Sequence, residues 1–387
     1  MENQHNFTYR FRVYPTVAQR VLLAKHFGAI RFVYNHFLAA RKDKYLKAKK
    51  SSNYYGDCKD LTELKKTHLW MKEVYSQSLQ FSLKCLDAAY NNFFAGRGKF
   101  PVFKKKYSHQ SFRVPQNVKV GDDHLYVPKF LEGIKMVKHR DVEGEIKFAT
   151  ISRNRSGQYH VSITVERNIK TLPKVKKEVG VDLGIKTLAT CSDGTVYENI
   201  KPYRTLRRRM KMIQRRQSSK KKGSKNRERA RYKLAKIHQK IKNIRQDHLH
   251  KTTTKIVNEN QVIYLETLNV QGMMKNHCLA GAIADAAFYE TKRMIQYKAD
   301  WYGRRVVHLD RWFPSSKTCS ECGWIKQDLR LKDRTWTCSR CGTEHDRDLN
   351  AAKMILKQGK IESKLPVERR EVKRMDSGRK PTELSVG

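Results

Sequence analysis

The sequence predicts a multidomain α/β protein. An N-terminal antiparallel sheet or small barrel is interrupted by helices, and a second α/β domain follows with a small metal-bound ribbon inserted into it. Three observations predict this. Hydrophobic spacing switches from strict alternation to a helical period and back within the first 170 or so residues. Short apolar runs around Asp182 and Glu266 then read as buried strands, each carrying a carboxylate. Finally, Cys319, Cys322, Cys338 and Cys341 spell C-x2-C, fifteen residues, C-x2-C, which is zinc-ribbon spacing.

Phe7 to Tyr14 alternates apolar and polar side chains, as a half-buried strand does. After Pro15, Thr16 is a candidate N-cap with Gln19 three residues on, and helical periodicity runs through Leu22, Phe27, Ile30, Val33 and Phe37. A second helix is expected over Leu69 to Phe94, closed by the basic turn Phe100 to Lys106. From Ser111 to Arg167, alternating runs separated by turns at Gly121-Asp122-Asp123, Glu143-Gly144-Glu145 and Ser156-Gly157 predict an antiparallel sheet. The N-terminal strand is placed to complete that sheet across the inserted helices. Asn168 to Lys177 reads as a lysine-rich linker.

A new domain starts with the buried strand at Gly180 to Ile185, whose expected hairpin partner is Lys186 to Cys191. Residues 201 to 245 hold twenty Lys or Arg against one acid, Glu228, with a thin apolar stripe broken at Ser218 to Ser224; this predicts two long basic helices forming a hairpin. Val262 to Glu266 is a buried strand, Ala282 to Tyr302 a helix, and Arg305 to Leu309 a strand before the ribbon. A further helix is expected over Leu349 to Leu356, and the charged tail from residue 359 to 387 is expected to be disordered.

The 387 residues suffice for two or three domains with real cores. With 82 Lys and Arg against 37 Asp and Glu, the net charge of +45 calls for a polyanionic partner, and nucleic acid is the strongest candidate. No run of eighteen apolar residues appears, so no membrane span is expected, and Met1 to Arg12 lacks the apolar core of a signal peptide. Cys58, Cys85, Cys191 and Cys278 are scattered without a pairing pattern, which points to a reducing compartment.

Asp182 lies within an apolar strand, Glu266 ends another, and Asp346 or Asp348 opens the helix after the ribbon. One carboxylate from each of two strands and a helix start is how an RNase H-like fold holds two divalent ions for phosphodiester chemistry, and oxygen ligands suit magnesium. Each acid also has a plainer role open to it: a turn or ion pair for Asp182, an ion pair for Glu266, an N-cap for Asp346. Asp310 is a fourth candidate that could instead pair with Arg311. Four thiolates leave no open position at the ribbon, so its zinc is structural; His308 and His345 are further possible ligands that such a closed site does not need.

Gly180-Val181-Asp182-Leu183-Gly184, Tyr264 to Val270, Pro314 to Gly323 and Asp346-Arg347-Asp348-Leu349-Asn350-Ala351-Ala352 together resemble TnpB, the insertion-sequence protein family related to type V CRISPR effectors. The resemblance extends over roughly residues 5 to 356. It implies a wedge β-barrel domain (1–14 and 108–170) with an inserted helical recognition domain (15–107). After it would come an RNase H-like RuvC nuclease domain (178–315 and 344–358) with an inserted zinc ribbon (316–343). The family's three acids fall on Asp182, Glu266 and, as the second acid of its motif, Asp348, which would hold catalytic Mg2+ while Cys319, Cys322, Cys338 and Cys341 hold structural Zn2+.

The activity implied is RNA-guided DNA cleavage: a guide RNA from the transposon end pairs with target double-stranded DNA beside a short adjacent motif, with one protein per guide. Base pairing would read the sequence while the protein holds the backbone. Candidate backbone contacts are Arg207, Arg208, Arg209, Arg215, Arg216, Lys220, Lys221 and Lys222 in the hairpin, with Lys104 and Lys105. Phe103 to Tyr107 and Ser76 to Gln80 are weaker candidates for reading the adjacent motif. A cytoplasmic, prokaryotic setting on the nucleoid follows from the same resemblance. A conventional transposase, or a non-catalytic nucleic-acid-binding regulator, is the alternative; RNase H-like acids also serve strand transfer, so the acids alone do not separate the two enzymes.

Overall fold

The computed structural model describes residues 4–49, 52–107, 109–330 and 332–364. The chain divides into two compact units, residues 1–169 with 221–236, and residues 170–220 with 237–387.

The first unit begins with β1 (Gln4–Val13) and α1 (Val17–Ala48). Thr16 caps α1 as expected, with a full capping box: its side chain accepts from Gln19 N while the Gln19 side chain reaches back to Thr16 N. Then come α2 (Tyr54–Thr67), a 3-10 turn at Leu69–Glu73 and α3 (Ser76–Phe94). The single helix expected over 69–94 is therefore broken. Val74 is extended, and Tyr75 N donates to Nε2 of the buried His26 instead of continuing a helical ladder.

Six strands follow: β2 (Gln110–Val114), β3 (Lys119–Val120), β4 (His124–Val127), β5 (Phe130–Val137), β6 (Glu145–Arg153) and β7 (Tyr159–Asn168). With β1 they form a seven-stranded sheet in the order β2-β6-β7-β1-β5-β4-β3. β1 sits in the middle, antiparallel to β7 along its whole length, so the N-terminal strand does complete the sheet across the inserted helices. The hydrogen-bonded order has two ends, β2 and β3, so among the described residues the strand pairing does not close into a ring. Helices and sheet share one core, in which Phe27 of α1 meets Phe112 of β2 edge-on at 5.4 Å. The helical segment and the sheet fall in the same compact unit.

The second unit starts from the expected linker, whose end is tied down: Leu172 N donates to Tyr302 O, and Arg304 Nη1 to Pro173 O. It contains β8 (Glu178–Asp182), β9 (Thr187–Cys191), β10 (Val196–Glu198), α4 (Pro202–Ser218) and most of α5 (Lys225–Glu259). Next come β11 (Val262–Leu265), α6 (Val270–Met274), α7 (Ala280–Ala286), α8 (Phe288–Tyr302) and β12 (Arg305–His308). The helix expected over 282–302 is two helices, because Ala287 takes a left-handed φ of 52° between them. The ribbon's β13 (Thr335–Thr337) and β14 (Glu344–Asp346) lead into α9 (Arg347–Lys364). α9 outruns the expected helix by two turns, so residues 359–364 are helical rather than tail; the rest of the expected tail, 365–387, lies outside the described residues.

The second sheet has the order β10-β9-β8-β11-β12, with β8, β11 and β12 parallel and β9 antiparallel to β8. β8 and β11 are buried on both faces, which is why they read as continuous apolar runs. No helix among the described residues is long and apolar enough to cross a membrane.

Candidate active site and metal centre

Asp182 closes β8, and Glu266 stands one residue beyond β11. Because those strands are parallel neighbours with Val181 opposite Leu265, the two acids emerge at the same end of the sheet. Side chains alternate along a strand, so Glu178, Gly180 and Asp182 share one face of β8.

α9 lies against that face. Lys360 Nζ is 3.3 Å from the Glu178 carboxylate. A Cβ on Gly180 would collide with the Ala352 carbonyl oxygen and stand 2.6 Å from Leu356 N, so only glycine lets the helix approach this closely. Residues 348, 352, 356 and 360 recur every four positions and lie on one side of the helix. The contacts that set Lys360 on Glu178, and Ala352 and Leu356 on Gly180, therefore bring Asp348 to Asp182. Gly180 does as much to assemble the site as the acids do, and sequence reasoning gave it no role beyond the motif.

Burial, first, and then the charges of Glu266 and Asp348 hold the Asp182 carboxyl well above the usual carboxylate range, with Arg347 opposing them. Asp182 has no hydrogen-bond or ion-pair partner among the described residues. Glu266 is also raised by burial, and the Ser315 hydroxyl donated to its Oε1 opposes the rise. Arg334 Nη1 lies 3.6 Å from Asp348. The two acids at the helix start divide their roles: Asp346 Oδ1 accepts from Leu349 N at 2.9 Å and caps α9, while Asp348 is the one whose charge bears on Asp182. Asp310 does not pair with Arg311; its Oδ1 accepts from Trp312 N at 2.8 Å.

Carboxylates whose charges bear on one another in a buried setting favour a bound multivalent cation when ionised, and Arg334 and Arg347 offset only part of that repulsion. Their oxygens suit Mg2+. The three acids do not all lie within 4.8 Å of one another, the spacing that among the described residues only the four cysteines reach.

The cysteines fit zinc closely. Sγ of Cys319 and Cys341 are 3.7 Å apart, and those of Cys322 and Cys338 are 3.5 Å apart. A tetrahedron of thiolates at a Zn–S distance of about 2.3 Å has edges of about 3.8 Å. His345 Nε2 lies 3.1 Å from Cys319 Sγ with its ring 4.7 Å from Trp336, beside the four sulfurs; His308 instead meets Gln296 Oε1 at 3.2 Å.

Ser315 and Asn350 also join ribbon to site, and sequence reasoning gave neither a role beyond its motif. Ser315 bonds Glu266 from the segment that enters the ribbon. Asn350, fully buried, accepts from Ser320 N at 2.9 Å and donates to Thr318 O at 2.7 Å, bolting α9 to the first cysteine turn. Asp285 was missed as well. It is buried, and it accepts from Tyr203 N and Arg204 N at the uncapped start of α4 and from Arg245 Nη2 of α5. It thereby anchors the base of the basic segment.

Arg207, Arg208, Arg209, Arg215 and Arg216 are exposed along α4, Lys220 is half-buried just after it, and Lys221 and Lys222 are exposed in the turn before α5. Of the expected apolar stripe, Met210, Ile237 and Ile241 are buried. Lys104 and Lys105 are both exposed; the Lys104 ammonium sits 3.9 Å over the Tyr34 ring, and partial desolvation there lowers its pKa. Asn35 grips the backbone of the same residue, donating to Lys104 O at 3.0 Å and accepting from Lys104 N at 2.8 Å. Lys104 is thus exposed while its backbone is held by Asn35 and its side chain leans on Tyr34.

Comparison with known proteins agrees with this layout. Residues 159–277 match the family described as "Probable transposase", residues 288–355 a "Cas12f1-like, TNB domain", and residues 1–50 a "Helix-turn-helix domain". In this structure that last stretch is a strand and one long helix. The chain is 40% identical over 365 residues to a "Putative RNA-guided DNA endonuclease" of Streptomyces pristinaespiralis, covering 93% of this chain and 90% of that one. It is 32% identical over 375 residues to "Putative RNA-guided DNA endonuclease InsQ" of Escherichia coli K12, covering 91% and 92%. Its fold is similar, at a TM-score of 0.58 and 12% identity, to the protein in a structure titled a Cas12f1-sgRNA-target DNA complex, over 91% of this chain and 98% of that one. With relatives this similar along nearly its whole length, and with the acids and cysteines of the motifs in place, the chain belongs to the TnpB family.

Proposed function

We propose that this protein is an RNA-guided DNA endonuclease of a transposable element, binding a transposon-end guide RNA and cutting complementary DNA beside a short adjacent motif. The observation that carries the reading is the meeting of Asp182, Glu266 and Asp348 at one end of the second sheet. The strand order β10-β9-β8-β11-β12 is that of an RNase H-like nuclease and supports a RuvC-type site. The names of the relatives supply the guided activity.

In this reading Asp182, Glu266 and Asp348 hold Mg2+, which when bound supplies an activated water and stabilises the leaving oxygen. The residues of the chain do the rest. Ser315 fixes the Glu266 carboxylate, Gly180 admits α9 so that Asp348 reaches the site, and Asn350 locks the ribbon to the same helix. Zinc at the four cysteines keeps that support folded. Arg207, Arg208, Arg209, Arg215, Arg216, Lys220, Lys221, Lys222, Lys104 and Lys105 neutralise phosphates of the guide or heteroduplex, so binding weakens steeply with salt. One protein acts per guide.

Sequencing RNA that copurifies with the protein should return one defined species, and that complex with matched DNA should cut only with Mg2+. Asp182→Ala should retain the RNA and lose cleavage by a factor of about 10³ or more. Random RNA fragments, or cutting by the variant, would sink the reading. The description "Probable transposase" favours a second reading, strand transfer by the same acids. Joining of transposon ends to a new target by this protein alone would establish it.

A further inference from the structure

The mouth of the acid site carries a feature that metal binding does not use. β12 is in register with β11, Leu309 N donates to Leu265 O at 2.9 Å, and Thr267 Oγ1 donates to Leu309 O at 2.7 Å. The chain therefore leaves this sheet beside Glu266, and the next three residues are Asp310-Arg311-Trp312. Trp312 is 68% exposed, far outside the range of a packed indole. It is nonetheless held. Asp310 Oδ1 accepts from its backbone N–H, the Arg311 guanidinium lies 4.8 Å from its ring centroid, and Phe313 behind it packs against the core around Tyr264, Leu309 and Ile355. Three residues on, Ser315 donates to Glu266. A solvent-facing indole on an anchored backbone and beside a guanidinium, on the strut that holds the Glu266 carboxylate, has the form of a base-stacking platform with a phosphate contact.

We propose that Trp312 stacks on a nucleobase of the single DNA strand led to Asp182, Glu266 and Asp348, with Arg311 on the adjoining phosphate. Trp312 is thus a substrate-positioning residue. The proposal rests on the endonuclease reading for its role, while its binding test does not. Stacking is indifferent to base identity, since every base has a π-face, so the platform suits an enzyme whose sequence choice is made elsewhere.

The test uses the full chain with magnesium omitted and short single-stranded DNA, alongside a strand of the same length with abasic sites. Trp312 is one of five tryptophans, so the difference between wild type and Trp312→Phe isolates its emission. The intact strand should quench wild type; the quench should vanish in Trp312→Phe and with the abasic strand. Trp312→Ala should bind the intact strand about tenfold more weakly, and Trp312→Phe, which keeps a ring, should recover most of that loss. Quenching that persists in Trp312→Phe, equal quenching by the abasic strand, or wild-type affinity in Trp312→Ala would each overturn the proposal. Failure of the endonuclease reading would appear separately, as a wild-type complex that never cuts matched DNA.

Discussion

The two candidate metal sites of the second unit are built in opposite ways. The cysteine site draws its ligands from residues 319 to 341, around two short turns and one hairpin, and its sulfurs already stand at zinc distances. The carboxylate site draws on residues 182, 266 and 348, and its members come together only because a sheet pairs β8 with β11 and a helix crosses a glycine. One site is closed and shapes the chain around it. The other depends on packing throughout the unit, and burial with neighbouring carboxylate charge raises the pKa of Asp182 there. Local sites organise structure, and dispersed ones require it to be organised already.

The largest way to break the contrast is at the ribbon. Cys338→Ser should lose stoichiometric zinc and melt the ribbon, since structural zinc supplies about 10–16 kcal/mol of binding free energy in small domains. Metal analysis and limited proteolysis between residues 316 and 343 read this out. Guided cleavage should fall too, because Ser315 and Asn350 lose their footing.

Gly180→Ala attacks the dispersed site without touching an acid. The added methyl collides with the backbone of α9, so stability should fall by about 3 kcal/mol, with Mg2+ affinity falling while zinc content stays intact. Thermal melts with and without Mg2+ measure both.

Lys298 calibrates what a buried charge costs where no multivalent cation is expected. It is buried, its Nζ donates to His250 O, Thr253 Oγ1 and Thr254 Oγ1, and burial pushes its pKa down to about 8 from an ordinary 10.5. Between those values the unfolded chain holds the proton and the folded chain does not, so stability from this group rises with pH; below about 8 both states are charged and it is flat. Relative to Lys298→Met, wild type should therefore gain up to about 3 kcal/mol between those two pH values. A constant difference across denaturant melts in that window would remove the assignment.

Asn350→Ala should cost about 2 kcal/mol by leaving Ser320 N and Thr318 O unpaired at a buried joint. The smallest effect is expected from Asp182→Asn. It removes a buried charge crowded by two others, so the metal-free protein should melt slightly higher while the Mg2+-induced rise shrinks. A lower melting temperature in the metal-free variant would show that the acids do not crowd one another.

Much of the fold was legible from residues whose signal is local. The Thr16 capping box, the alternation of β1 and of β7, and the apolar runs of β8 and β11 all lie where period and cap chemistry place them. α2 was not legible because its only buried apolar residue is Leu61; the helix is marked by its Asn53 cap, and Asp57 is buried only because Arg41 of α1 pairs with it. The break at Val74-Tyr75 depends on His26, 49 residues away, and the break at Ala287 has neither Gly nor Pro to announce it.

The sequence by itself determined the cysteine cluster, the basic segment and the family, because each of these is written in residues close along the chain or in residue type and motif. Only the tertiary structure decided that Asp346 caps α9, that Asn35 grips the Lys104 backbone, that Ser315 and Asn350 tie ribbon to site, and that Trp312 stands exposed. Those are properties of which faces meet, and a face acquires its neighbour only when strands and helices distant in sequence pack against each other.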